Sequence, residues 1–274
     1  MRILLLGASG FLGANIYEEI KSKNGLEVLG TCYSEIRDSE LMKLDVTKKE
    51  QVKAVMESYN PDVVIWSLIS RKSEKYMIEH GLNNLLNNMS KYQKLIFISS
   101  NAVFNGTGEF KEEDEPQYRN SNDNIALYAN AKIDGENIVK RHKNYIIVRP
   151  GAIYGKNVKG IWDKRICQLV EKLQDGEEVV RTENLYNTFV KVEELSKAIV
   201  KLIEIDYSGI IHLGPAKKES HYEYNVRMAK ELGLYYTLIK GNLLSEEEVF
   251  QNDEALDLSL DTSKVIKVLG EVFS

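Results

Sequence analysis

Cysteine and histidine are scarce in this chain, with 2 and 4 copies among 274 residues. His80, His142, His212 and His221 are scattered, and no metal-ligand spacing joins them to a cysteine, so no metal site is expected. Cys32 and Cys167 read as two free core thiols of a reducing, cytoplasmic interior rather than a disulfide. No apolar run reaches the ~20 residues that span a bilayer. The apolar run at the N-terminus is too short for a signal peptide. Positive charge is also in deficit: 36 Lys and Arg stand against 41 Asp and Glu, for a net charge of −5, which argues against general nucleic-acid binding. Repeats, low-complexity tracts and linkers are absent. A composition of 43% hydrophobic and 28% charged residues remains, that of a globular protein with one large domain or a domain and a lobe.

What is present begins with MRILLLGASGFLG. Arg2 to Leu6 is an apolar run of strand length, and Leu12, Ile16 and Ile20 recur on one helical face after it. Gly7, Gly10 and Gly13 lie in the turn between. In that context the spacing predicts dinucleotide binding: Gly7 for the tight turn, Gly10 for close approach of a pyrophosphate, Gly13 for helix–strand packing. The N–H groups of Phe11 and Leu12 then face the anion.

Further strands are expected at Leu26–Cys32, Leu41–Thr47 (ending in a helix start), Asp62–Trp66, Lys94–Ser99, Tyr145–Val148 and, beyond Pro150, Gly209–Leu213. Helices fall between them, the one after Thr47 opening on a Thr47/Glu50 capping box. This alternation predicts an α/β fold, a doubly wound parallel sheet of the Rossmann type. Residues 1–150 form the dinucleotide-binding domain, and 151–274 are mostly a smaller α/β lobe that binds substrate. Residues 105–124 form a long polar loop, a length usually kept for function. At the end of the second strand Ser34 and Arg37 suit the extra phosphate of NADP, while Glu35 suits a ribose, so NADP is favoured and NAD stays open.

Ser99 and Ser100 end the fourth core strand, at the ligand side of such a sheet. Tyr128 and Lys132 follow at i, i+4, on one face of a helix. A protonated lysine beside a phenol favours the phenolate, so such a tyrosine can pass a proton to or from a carbonyl at neutral pH. Arg149, Lys156 and Arg181 are candidates for holding substrate phosphates.

The segments Gly7–Gly13, Leu44–Val46, Ile98–Gly106, Tyr128–Lys132 and Val148–Gly155 together resemble the extended short-chain dehydrogenase/reductase family. Val103–Gly106, the acidic Glu112–Pro116 and the terminal Leu258–Lys264 are similar to its dTDP-4-dehydrorhamnose reductase branch, which also contains a regulatory subunit of methionine adenosyltransferase. The resemblance implies an NAD(P)-dependent oxidoreductase acting on a nucleotide sugar, as reductase or epimerase. It makes Tyr128 the acid/base, Lys132 its partner and ribose ligand, and Ser100 the hydroxyl that polarises the carbonyl. It assigns Ser9, Asp45, Val46, Ser67, Leu68, Ile69, Pro150 and Ile153 to the cofactor. Asn101, Ala102, Val103, Phe104, Asn187 and Thr188 fall to the substrate. Departures from the branch are Trp66–Ile69 in place of an Asn/Cys-Ala-Ala run, Ile78 in place of an Asn, Asn101–Ala102 in place of Asp-Tyr, and Ala152 in place of a Trp. These motivate the alternative of a cofactor-binding regulatory subunit with little turnover. A homodimer is allowed, since a helix face that docks a partner reads like one that docks the core.

Overall fold

Leu4 and Leu6 of β1 (Arg2–Leu6) enter one hydrophobic cluster, while Ile3 and Leu5 enter another. A strand buried on both faces belongs in a parallel sheet with helices on each side. The computed structural model, which describes residues 1–34, 40–70, 73–245, 247, 249 and 255–273, has that sheet at its centre. It is built from β1, β2 (Glu27–Cys32), β3 (Met42–Lys43), β4 (Val63–Trp66), β5 (Lys94–Ile98), β6 (Tyr145–Pro150) and β11 (Gly209–Leu213). Their spatial order is β11-β6-β5-β4-β1-β2-β3, and every pairing is parallel. The doubly wound sheet expected from the alternation is therefore present. The chain winds one way from β1 to β3 and the other way from β4, so the switch point lies between β1 and β4. Ligands of such sheets bind outside the carboxyl ends of the strands at that crevice.

On one face lie α1 (Phe11–Lys21) and α6 (Val192–Glu204), which bring Leu12, Ile16, Ile20, Leu195 and Ile199 to the sheet. On the other lie α2 (Lys49–Tyr59), α3 (Glu74–Leu86) and α4 (Asn124–Val139). Gly81 and Gly135 let α3 and α4 approach closely, since a Cβ on either would stand 2.6 Å from the ring of Trp66 or Phe97. Each large aliphatic side chain withdrawn from water in these layers contributes about 1.5–3 kcal/mol.

Past Pro150 the chain contributes to two bodies. The strand β11 and helix α6 complete the large sheet and its cover. A smaller body holds α5 (Lys164–Gln174), α7 (His221–Glu231) and three small sheets. These pair β7 (Ala152–Tyr154) with β10 (Phe189–Lys191), β8 (Val179–Thr182) with β13 (Ile239–Asn242), and β9 (Tyr186–Asn187) with both β12 (Glu219–Ser220) and β14 (Asp257–Leu258). Ile166, Leu169 and Leu173 of α5 pack there with Tyr224 and Met228 of α7. The final helix, α8 (Ser263–Leu269), returns Val265 to the core under β11.

Two local expectations need correction. Thr47 does not cap α2: Lys48 holds the cap position, and the Thr47 hydroxyl and N–H both donate to Asp45 Oδ1, at 2.7 and 3.0 Å. An Asx turn has won the side chain that a cap would have used. Cys32 is a buried free thiol as expected, but Cys167 is exposed on α5, because the apolar stripe of that helix runs through Ile166 and Leu169. Among the described residues no helix is long and apolar enough to cross a membrane, and no cluster of three or more His, Cys, Asp or Glu could hold a metal ion.

Candidate active site

The glycine turn closes on itself at the carboxyl end of β1. Gly7 has φ +91°, and a Cβ on it would meet the Ser67 carbonyl at 2.7 Å. A Cβ on Gly13 would stand 2.0 Å from the Gly7 carbonyl. Neither position admits a side chain. Gly10 is different: a Cβ there would meet only the Gly7 carbonyl, at 3.3 Å, with nothing else within 4 Å. Its outer side is open to an approaching group. Gly10 is also the N-cap of α1 and provides no side-chain cap. The first N–H groups of the helix, those of Phe11 and Leu12, thus lack intrahelical partners and remain for an anion. Ser9 beside them is exposed.

Two cavities lie next to this crevice. One, of about 500 Å³, is lined by Tyr33, Asp45, Val46, Leu68 and Ile69 among others. The second, of about 810 Å³, is lined by Glu74, Asn124, Tyr128 and Ala131 among others. Ile69, Ser70 and Ser73 border both, so the two form one groove along the loop after β4. Ser34, exposed, flanks the first, while Arg37 and Glu35 lie outside the described residues. The groove, the uncapped helix and the open flank of Gly10 fit an elongated anionic nucleotide.

Tyr128 and Lys132 are carried by α4, whose start is fixed by Asp123 accepting the N–H groups of Ile125 and Ala126 at 2.7 and 2.9 Å. Such a cap is worth about 1 kcal/mol. Lys132 is 2% exposed. Its ammonium donates to the Leu68 carbonyl at 3.3 Å and the Ile98 carbonyl at 3.2 Å, so it sits over the ends of β4 and β5. It also stands 5.5 Å from the centre of the Tyr128 ring. Ser100, half-buried, lies two residues beyond Ile98. The Ser100 Oγ accepts the Ala102 N–H at 3.1 Å, which leaves its own proton for an incoming oxygen. Pro150 is buried at the end of β6, and Ile153 is half-buried in β7.

The substrate residues fare differently. Val103 and Phe104 are 0% exposed and pack with Ile133 and Leu260, so they have no surface to offer a substrate. They are core, and their apolar character was its signal. Asn101 and Asn187 are buried and bonded to each other, Nδ2 to Oδ1 at 2.7 Å. The buried Thr188 Oγ1 accepts the Leu260 N–H at 3.0 Å. The Asn101–Asn187 bond ties the loop after β5 to the smaller body, and Thr188 holds the segment that follows β14. Arg149 is not available to phosphate either. It is 0% exposed and donates through Nε and Nη2 to Glu136 at 2.9 and 2.7 Å. Glu136 also accepts the Ser99 hydroxyl at 2.6 Å. Arg181 is half-buried, and Lys156 is exposed with its ammonium 5.0 Å from the Trp162 ring.

Sequence reasoning missed two acids. Glu136 follows Tyr128 and Lys132 at i+8 and i+4, so the same face of α4 already marked it. Glu74 opens α3 and places Oε1 3.1 Å from the Lys132 ammonium, with both side chains buried. Its spacing from Lys132 along the chain carried no signal. On β11, opposite Arg149 of β6, His212 is wholly buried and held down to a pKa of about 4, first by burial and then by the neighbouring Arg149 cation.

Comparison with known proteins agrees with this fold. Methionine adenosyltransferase 2 subunit beta of Xenopus laevis is 26% identical over 97% of this chain and 82% of its own. GDP-6-deoxy-D-talose 4-dehydrogenase of Aggregatibacter actinomycetemcomitans is 24% identical over 98% of this chain and 92% of its own. The fold is that of a hypothetical dTDP-4-dehydrorhamnose reductase from Sulfolobus tokodaii, with a TM-score of 0.78, 23% identity, and coverage of 100% of this chain and 97% of that one. It is also that of a dTDP-4-dehydrorhamnose reductase from Bacillus anthracis solved with NADP, with a TM-score of 0.74, 20% identity, and coverage of 98% and 92%. The profile of the RmlD substrate binding domain matches residues 1–270, and the chain belongs to that family.

Proposed function

We propose that the protein is an NAD(P)-dependent oxidoreductase that reduces, or epimerises through, a carbonyl of a nucleotide sugar. The observation that carries this reading is the placement of Lys132. Two strand-end carbonyls hold its ammonium beside the Tyr128 ring, next to the switch point of a sheet whose first turn is open to a phosphate. A bound nicotinamide supplies the hydride that such a reduction needs. The chain supplies the rest. Ser100 donates a hydrogen bond from its free hydroxyl to the carbonyl oxygen and so orients and polarises it, keeping its own proton. Tyr128 gives that oxygen its phenolic proton, so carbonyl, hydride and proton become an alcohol. Lys132 steadies the charge that develops on the phenol oxygen. Asp45 and Val46 would contact the adenine, Ser67, Leu68 and Ile69 would line the cofactor after β4, and Pro150 and Ile153 would lie near the nicotinamide. The relatives that support the reading are the talose dehydrogenase in sequence and the reductases in fold.

Titration with NADPH and NADH, followed by a screen of nucleotide-sugar ketones for cofactor oxidation, tests it. Tyr128→Phe should keep cofactor affinity and lose about 10²-fold or more in turnover. A protein that binds neither cofactor form refutes the reading. The relatives named as methionine adenosyltransferase 2 subunit beta favour a second one, a cofactor-binding subunit of a larger assembly. There Tyr128→Phe would leave function unchanged.

A further inference from the structure

We infer that Glu74 is a positioning residue for the nicotinamide end of the cofactor: by cancelling the charge of Lys132 it sets how affinity is divided between the oxidised and reduced forms. The inference rests on the cofactor reading above. Glu74 and Lys132 side chains are only 7% and 3% exposed, so neither charge is screened by water. The carboxylate lies in the first turn of α3, where the helix dipole favours an anion. Its Oε2 accepts the Ser70 N–H. Its Oε1 stands 3.1 Å from the ammonium but accepts no aligned hydrogen bond. The ammonium donates instead to the Leu68 and Ile98 carbonyls. Glu74 therefore shares the holding of Lys132 with two neutral carbonyls. What it brings is a negative charge, on the wall of the same cavity that Tyr128 lines.

The charge matters because the two cofactor forms differ by one. The oxidised nicotinamide ring is a cation, and the reduced ring is neutral. A lone buried lysine would repel the oxidised ring and favour the reduced one. A lysine paired with Glu74 presents no net charge, so both forms bind on similar terms. One unit charge ~10 Å away at an effective dielectric of ~20 changes a dissociation constant about tenfold.

The test is a fluorescence or calorimetric titration of NADP⁺, NADPH, NAD⁺ and NADH against wild type, Glu74→Gln, Glu74→Asp, Lys132→Met and the double variant Glu74→Gln/Lys132→Met at pH 8. Glu74→Gln should raise the oxidised-to-reduced ratio of dissociation constants about tenfold. Glu74→Asp, which keeps the charge, should leave the ratio near wild type. If Glu74→Gln does not fold, the other pair reads the same charge: Lys132→Met should move the ratio toward the oxidised form, and the double variant should restore it. Equal weakening of both forms in Glu74→Gln, or a double variant indistinguishable from Lys132→Met, overturns the inference while leaving the cofactor reading intact. Failure of wild type to bind any of the four overturns both.

Discussion

Replacing Glu136 by Gln should cost the fold about 3 kcal/mol. Glu136 and Arg149 side chains are 1% and 0% exposed, and the guanidinium meets both carboxylate oxygens. The remaining contact of the guanidinium is long, 3.5 Å from Nη1 to the Glu112 carbonyl, and the Phe104 ring lies 4.9 Å away. With Gln in place, one of the two arginine donors faces an NH₂ group instead of an acceptor, and the buried cation loses its counter-charge. Removing one partner of a buried pair costs about 3–5 kcal/mol. The near-isosteric amide keeps one hydrogen bond, which places the effect at the low end. Domains of this kind are stable by about 5–15 kcal/mol, so the loss is a large share. Urea unfolding followed by circular dichroism should show the midpoint falling by about 1 M with an unchanged slope. The double variant Glu136→Leu/Arg149→Met should recover most of it, since neither charge then remains to be desolvated. A midpoint shift below about 0.3 M in the single variant at the same slope would mean that the pair is hydrated, and the reasoning would fail.

Stability should also fall with acid before the carboxylates titrate. His212, held near pKa 4 in the fold, takes a proton at about 6.5 when unfolded. Between those values the unfolded chain binds a proton that the folded one refuses, so stability is full above about pH 6.5 and drops by about 3 kcal/mol toward pH 4. His221, also lowered to about 4, acts in the same direction. Unfolding midpoints from pH 7 to 4.5 should show the slope, and His212→Leu should flatten it. Gly13→Ala should abolish cofactor binding and destabilise the fold by several kcal/mol, since its Cβ would overlap the Gly7 carbonyl. Asp123→Ala should cost about 1 kcal/mol and weaken turnover through the start of α4; an unchanged midpoint would show that the cap is idle.

The parallel sheet was legible because its strands are apolar runs separated by helical periods, and Gly209–Leu213 matches the expected span. The glycine turn was legible for the same reason, with Gly7 and Gly13 fixed by steric contacts that no other residue permits. The spacing of Tyr128 and Lys132 set them on one face of a helix, and what marked the pair was its order after the glycine turn and the strand-end serine. The small body was not legible in detail. Several of its strands, such as β9, β12 and β14, are two residues long, too short to show a period. Val103 and Phe104 were misassigned because position beside Ser100 says where a residue lies along the chain, not which way it faces. Arg149 was misassigned because a basic residue reads the same in sequence whether it meets a substrate or a buried carboxylate. Glu74 was missed because a contact across 58 residues leaves no local trace.

The loop between β5 and α4 has a consequence in time. Its Phe110 N–H bonds the Ser259 carbonyl, its Glu109 N–H the Ser259 hydroxyl, and its Glu113 pairs with Lys264. Each partner lies about 150 residues later in the chain. The seven-stranded sheet can close once residue 213 has been made, whereas this wall must wait for residue 264. Long closures are slow and entropically costly. The wall beside Ser100 therefore depends on residues that follow the last strand of the large sheet, and a chain ending at that strand would lack these contacts.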